Sequence, residues 1–251
     1  MKKLSRLTYS LTSHIPAARW CLALIVIAFT AVVSVYKYID LADMATFSCH
    51  EVLYLILTDT TNIVFIYLPA YLFIVSGITF DSGFGRTAVL RHKSRREWLD
   101  IKLITYVANT LIFFGAVLLF NFAVSSEVFG FSDVWSSDFV GFRMISGQSS
   151  ADFLLPPIPT ITAACCGVLT LYLFCGAVNL LFSLLCKRED VGLFISLLIG
   201  IVLGACDMLI TDKSLTAQVI RIIILIAAGT AVYFACCAAV RKMDFGEKKL
   251  L

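Results

Sequence analysis

The sequence predicts an all-α, polytopic membrane protein with six transmembrane helices. Three observations predict it: an apolar excess, six long runs almost free of charge, and a one-sided distribution of Lys and Arg. The 251 residues are 60% hydrophobic and only 15% charged, where a soluble domain carries about 25% charged residues. Each run approaches the roughly 20 apolar residues needed to cross a bilayer. With both termini inside, Lys37, Arg143, Lys213 and Arg221 fall on or near the outer side, and the other sixteen of the twenty Lys and Arg fall inside. Cytoplasmic segments hold the excess of Lys and Arg, so the expected topology is N-in, C-in, in agreement with an even number of spans.

Residues 1–19 place Leu4, Leu7, Leu11, Ile15 and Ala18 at helical spacing, with Lys2, Lys3, Arg6 and Ser10 between them. This is the pattern of an amphipathic helix lying on the membrane face. The first apolar run ends in "VSVYKYID" with no small-residue cleavage site, so it is expected to be retained as a helix. Spans are predicted at 20–38, 62–80, 101–124, 160–186, 191–210 and 217–240 in a single transmembrane domain covering 1–251, with an inner loop at 81–100 and an outer loop at 125–159. The apolar stretch before the second span contains "TDTTN" at 58–62. An aspartate at mid-bilayer costs about 2.5–3.5 kcal/mol. The stretch is therefore expected to divide, with 47–58 forming an amphipathic helix on the outer surface. Pro69 is expected to kink the second span, and Pro156, Pro157 and Pro159 to start the fourth helix. The first three spans are separated by long, unequal loops and the last three by short ones, without the paired broken helices of an inverted repeat.

The residues offer little reaction chemistry. "HEVLY" at 50–54 begins like a zinc-protease helix, but Tyr54 stands where the second histidine belongs. His14 and His92 are expected inside and His50 outside, so the three cannot share a metal. "ISGQ" at 145–148 is one glycine short of the signature loop of ABC ATPases, and no G-x-x-x-x-G-K phosphate loop exists to bind ATP. The spans contain Ser76, Asn109, Asn121, Asn179, Ser196 and Asp207. Asp207 has no second carboxylate beside it and is expected to reach water at the outer end of the fifth span. The amides are read as helix–helix hydrogen bonds. Nine cysteines contain no C-x-x-C pair and read as small apolar side chains, with Cys49 in an exposed loop. "GIVLG" puts Gly200 and Gly204 on one face of the fifth span for close helix packing, inside this bundle or between subunits.

The densest feature is "RTAVLRHKSRREWLDIK" at 86–102, with six Lys and Arg in seventeen residues. If helical from Ala88, it places Arg91, Arg95 and Leu99 on one face with His92 and Arg96 beside them. Gly83 and Gly85 permit the sharp turn before it. Trp98 is expected at the headgroup level, and Lys102 is expected to snorkel towards it. An ordinary positive-inside loop on anionic lipid accounts for the sign of the charge, and less well for the length of the loop.

Arg91, Ser94, Arg95, Trp98 and Lys102 match in order the inner loop of bacterial ABC-exporter permeases, the six-span class that serves bacteriocin, lantibiotic or multidrug export. The close "RKMDF" at 241–245 and the amphipathic N-terminus also resemble that family. The resemblance implies a permease subunit in the bacterial cytoplasmic membrane, paired with a second permease, identical or homologous. Separate ATPase subunits would bind ATP and Mg, since this chain carries no cofactor and no nucleic-acid signal. Arg86, Arg91, His92, Arg95, Arg96 and Trp98 would form a cytosolic coupling helix seated on the ATPase. The second and fifth spans would line the path of an exported peptide or amphipathic small molecule. The alternative is a sensor, immunity or structural subunit that captures a ligand with Trp135, Phe139 and Phe142 of the outer loop, which also carries Asp133, Asp138 and Asp152.

Overall fold

Long apolar runs without proline can satisfy their backbone hydrogen bonds only within themselves, which makes helix the default. In the computed structural model, residues 17–42, 47–78, 95–145, 153, 155–209 and 215–242 are described, and every element among them is helical. The elements are α1 (Ala17–Ala42), α2 (Cys49–Thr58), a π-helical segment (Thr61–Tyr67) that runs directly into α3 (Leu68–Val75), α4 (Arg95–Val128), α5 (Ser137–Ile145), α6 (Pro157–Cys186), α7 (Glu189–Leu209) and α8 (Leu215–Lys242). Five of them, α1, α4, α6, α7 and α8, are long and apolar enough to cross a membrane, and the bent pair of α2 with the π-helical segment and α3 makes a sixth if counted as one span. The chain is built as a multi-pass membrane protein.

In α1, Ala23, Ile27, Thr30, Ala31, Ser34, Val35 and Tyr38 are buried at helical spacing, while Leu22, Ile25, Phe29, Val32 and Tyr36 are exposed. The buried face holds all of the small and weakly polar residues among these, beside Ile27, Val35 and Tyr38, and the exposed face is bulky and apolar throughout. α4 has 34 residues and is therefore about 51 Å long, well beyond the hydrocarbon thickness. α6 opens on Pro157, where the missing N–H costs nothing. It occupies the centre of the bundle and packs against α2, α3, α4, α7 and α8.

The second span departs from expectation in two ways. Residues 49–58 are helical, but α2 is not a surface helix: Cys49 and every residue from Glu51 to Leu57 are buried. Cys49, expected in an exposed loop, is fully enclosed. The bend of 63° falls between α2 and the π-helical segment, at Asp59 and Thr60, ten residues ahead of Pro69. Pro69 instead sits where π-helix becomes α-helix. Leu68 N–H donates to Ile63 O, five residues back. The wider turn moves the preceding carbonyls away from a proline ring that would crowd a regular helix.

Side-chain contacts fix the direction of each helix. Arg19, at the start of α1, donates to Phe73 O (3.3 Å), to Ser76 Oγ (3.2 Å) and to Ser76 O at the end of α3. Gly77 has φ +97 there, and a Cβ would approach Arg19 Nη1 to 3.0 Å. At the opposite end Lys37 Nζ lies 3.5 Å from Asp59 Oδ2. Tyr233 of α8 donates to Asp100 near the start of α4 (3.3 Å). The start of α1, the end of α3, the start of α4, the α6–α7 turn and the end of α8 thus share the Arg19 end of the bundle.

Candidate functional site

The site expected from the sequence is the basic segment 86–102. Arg86, Arg91 and His92 lie outside the described residues, as do nearly all of 1–19 and residues 79–94. What the structure places is the root of that segment. Arg95 opens α4, and Arg96 is exposed on its first turn. Trp98, expected at the headgroup level, is 2% exposed and packs against its neighbours with Leu99. Lys102, expected to snorkel, is 4% exposed. The helix that carries the third span therefore starts six residues before the predicted start of the span, and it packs into the bundle at Trp98 and Leu99.

Behind this root runs a buried polar ladder. Tyr71 OH and Thr110 Oγ1 are 2.8 Å apart, and Asn121 Nδ2 donates to Tyr67 OH (3.1 Å). Asn179 Nδ2 donates to Tyr106 OH (3.3 Å), and Ser183 Oγ donates to Asn179 Oδ1 (3.3 Å). Tyr172 stacks on Tyr71 at 5.3 Å, and its hydroxyl donates to Ile63 O (3.1 Å), the carbonyl that also receives the π-helical bond from Leu68. The three amides expected to bridge helices divide. Asn121 and Asn179 do so, while Asn109 donates to Thr105 O within its own helix (2.7 Å). Gly200 and Gly204 pack inside this chain. A Cβ on Gly200 would collide with Leu68 Cδ2, and one on Gly204 would stand 2.7 Å from Val64 Cγ2. The second and fifth spans, expected to line a path, are in direct contact along this face.

The Lys37 end is tied by charge. Asp207 does not stand alone: Arg221 of α8 pairs with it, and Thr60 Oγ1 donates to its other oxygen (3.4 Å). Asn62 Nδ2 donates to Ser34 Oγ (3.0 Å) and to Asp59 (3.4 Å). Four segments thus meet at the bend. Beside them the aromatic residues of the outer loop turn inward. Trp135 stacks on Phe139 at 5.0 Å, Phe153 meets both edge-on at 5.5 Å, and Tyr54 of α2 meets Trp135 at 5.6 Å. Trp135 Nε1 donates to Leu155 O (2.7 Å), and Phe139 is fully buried. This cluster packs over α2 through Tyr54.

Glu51 of "HEVLY" is a structural cap. Its carboxylate accepts from Ser48 N (2.7 Å) and from Ser136 N, joining the start of α2 to the outer loop. The signal was in the sequence as Ser-x-x-Glu before an apolar run. His50 Nδ1 lies 3.0 Å from Ser132 O. Among the described residues no group of three or more His, Cys, Asp or Glu could hold a metal. The Asp207–Arg221 pair carried no such signal, because its members come from two different spans. No family model, curated protein or solved structure matches this chain.

Proposed function

We propose that this chain is the membrane-spanning permease subunit of an ATP-driven ABC exporter in the bacterial cytoplasmic membrane. Its cargo would be a peptide or amphipathic small molecule, and the ATPase, with its ATP and Mg, would be a separate subunit docked on 86–102. The observation that carries the reading is the way the basic segment joins the bundle. Arg86, Arg91 and Lys93 precede a helix whose own first turns carry Arg95 and Arg96 and bury Trp98, Leu99 and Lys102. A partner that gripped the segment would therefore move α4 as a rigid lever. α4 continues for 34 residues to the far side, where Cys49 N donates to Gly130 O (2.8 Å) just beyond its end. Movement at one end would reach the start of α2 at the other. Such coupling requires the partner to bind two arrangements of the lever with different affinity. Exposed Lys187 and Arg241 share the same end, where Arg188 pairs with Asp190.

The test is isolation of the full chain from its native membranes with its partners. A nucleotide-hydrolysing subunit is expected to co-purify with the unaltered chain. Changing Arg91, Arg95 and Arg96 together to Glu is expected to reduce its recovery at least about tenfold, since facing like charges costs several kcal/mol. Undiminished recovery with a folded triple variant rejects the docking surface. Absence of any such subunit rejects the exporter.

A further inference from the structure

We propose that Arg19 is a positioning residue for the basic segment: from the start of α1 it fixes the turn through which the chain passes from α3 towards 86–102. The proposal rests on the docking reading above and names what sets the geometry of the segment's entry.

The turn spans 75–78. Ile78 N–H donates to Val75 O (3.2 Å), across Ser76 at φ −62, ψ 134 and Gly77 at φ +97. These are the angles of a type II turn, whose third residue must accept a positive φ. The turn ends inside the bundle. Ile78 is fully buried and shares one packed core with Trp98 and Leu99 near the start of α4. The chain therefore departs for the basic segment from one buried point and returns at another. A segment that moves a helix when a partner grips it needs both points fixed. At the return, buried Trp98 and Leu99 fix it.

At the departure Arg19 does so. Its guanidinium donates to Phe73 O (3.3 Å), to Ser76 Oγ (3.2 Å) and to Ser76 O, and lies 5.2 Å from the centre of the Phe73 ring. The last carbonyls of a helix carry partial negative charge, so a cation is stabilising there. A planar fork serves the oxygens and the ring together, which the point charge of a lysine does not. The fit is close, since a Cβ on Gly77 would stand 3.0 Å from Arg19 Nη1. Arg19 is half-buried in the first turn of α1. It acts on the basic segment through the turn, without belonging to that segment.

The full chain in nanodiscs is followed by hydrogen exchange resolved to the Ile78 amide, with the amides around Tyr172 of α6 as reference. In Arg19→Gln the Ile78 amide is expected to exchange about tenfold faster and the α6 amides at their unaltered rate, the mark of a local opening. No change at Ile78, or an equal rise in α6, overturns the proposal. Should Arg19→Gln fail to fold, Arg19→Lys takes its place. It keeps the charge but loses the fork, and unchanged Ile78 exchange in it overturns the proposal. Recovery of the nucleotide-hydrolysing subunit is expected to fall about threefold in Arg19→Gln, through lost preorganisation. Level recovery with faster Ile78 exchange overturns the positioning role. If no such subunit accompanies the unaltered chain, the exporter reading falls, and the exchange result alone decides whether Arg19 fixes the turn.

Discussion

α6 and α8 have nearly the same mean hydropathy, 2.1 and 2.3, yet half of the apolar window of α6 is buried inside the bundle and only 6% of that of α8. In water that difference would show as a difference in polarity. In a bilayer it does not, because lipid tails are as apolar as leucine and give helices no hydrophobic reason to associate. Both helices are rich in small residues, so what separates them is which of their small and hydrogen-bonding side chains meet a neighbour. α6 buries Gly176, Asn179 and Ser183 against its neighbours, whereas α8 turns Val219, Ile220, Ile223, Ile224 and Phe234 outward. Hydropathy marks a span, and close packing and polar pairing decide where it sits.

The comparison breaks most sharply if bulk is added at the tight joint of α6. A Cβ on Gly192 of α7 would collide with Ser183 Oγ and stand 2.7 Å from the Asn179 carbonyl oxygen, which belongs to the backbone of α6 and cannot swing aside. Gly192→Ala is expected to destabilise by about 3 kcal/mol or more. Gly229→Ala in α8 is expected to stay within about 0.5 kcal/mol of the unaltered chain. Thermal unfolding in detergent, followed by the reactivity of buried Cys49 and Cys175, measures both. Equal stability of the two variants would remove the distinction between the helices.

The second effect is smaller and lies in hydrogen bonding. Tyr172→Phe removes the bond from the α6 hydroxyl to Ile63 O without opening a cavity. Ile63 O keeps its bond from Leu68 N–H, so the carbonyl is not orphaned. The expected loss is about 1 kcal/mol, at the low end for a buried hydrogen bond. A loss above about 3 kcal/mol in the same assay would mean that the π-helical turn itself collapses without the hydroxyl.

Most of this architecture was legible because it depends on runs of apolar residues. The five helices long and apolar enough to cross a membrane lie where composition puts long apolar runs, and Pro157 starts α6. The errors lie where three-dimensional neighbours outvote local pattern. "CHEVLYLILT" has a polar pair at its start and read as a surface helix, but Glu51 caps its own N-terminus and holds the outer loop, so the whole helix is buried. Trp98 read as a headgroup-level residue because tryptophan is common there, and the sequence did not show that neighbouring helices enclose it. Pro69 signalled a distortion but not its form, since the relief came as a wider turn ahead of it and the bend at Asp59. The Asp207–Arg221 pair needed knowledge of which helix ends meet, and no single segment holds that.

That pair gives a third test, smaller again. Asp207 and Arg221 are 33% and 27% exposed, so solvent screens much of their attraction. Asp207→Asn keeps the shape and the contact with Thr60 while removing the charge. A loss of about 0.5 kcal/mol is expected, declining further at high salt. A change several times larger would place the pair in a drier setting and make α8 a fixed part of the bundle.

The smallest expected effect is the most direct test of the comparison. Ile27 in α1 is fully buried, and Ile27→Ala should cost about 2–5 kcal/mol, because neighbours cannot close over the space. Ile223 and Ile224 on α8 are each 59% exposed. If lipid bathes that face, hydrocarbon flows into the room left by Ile→Ala and no cavity persists. The double variant should then unfold within about 0.5 kcal/mol of the unaltered chain. Only the preference of α8 for the bilayer declines, and a 26-residue candidate span of mean hydropathy 2.3 has that in excess. A loss comparable to that of Ile27→Ala would mean that the outward face of α8 packs against protein. The low burial of α8 would then mark an interface and not a lipid surface.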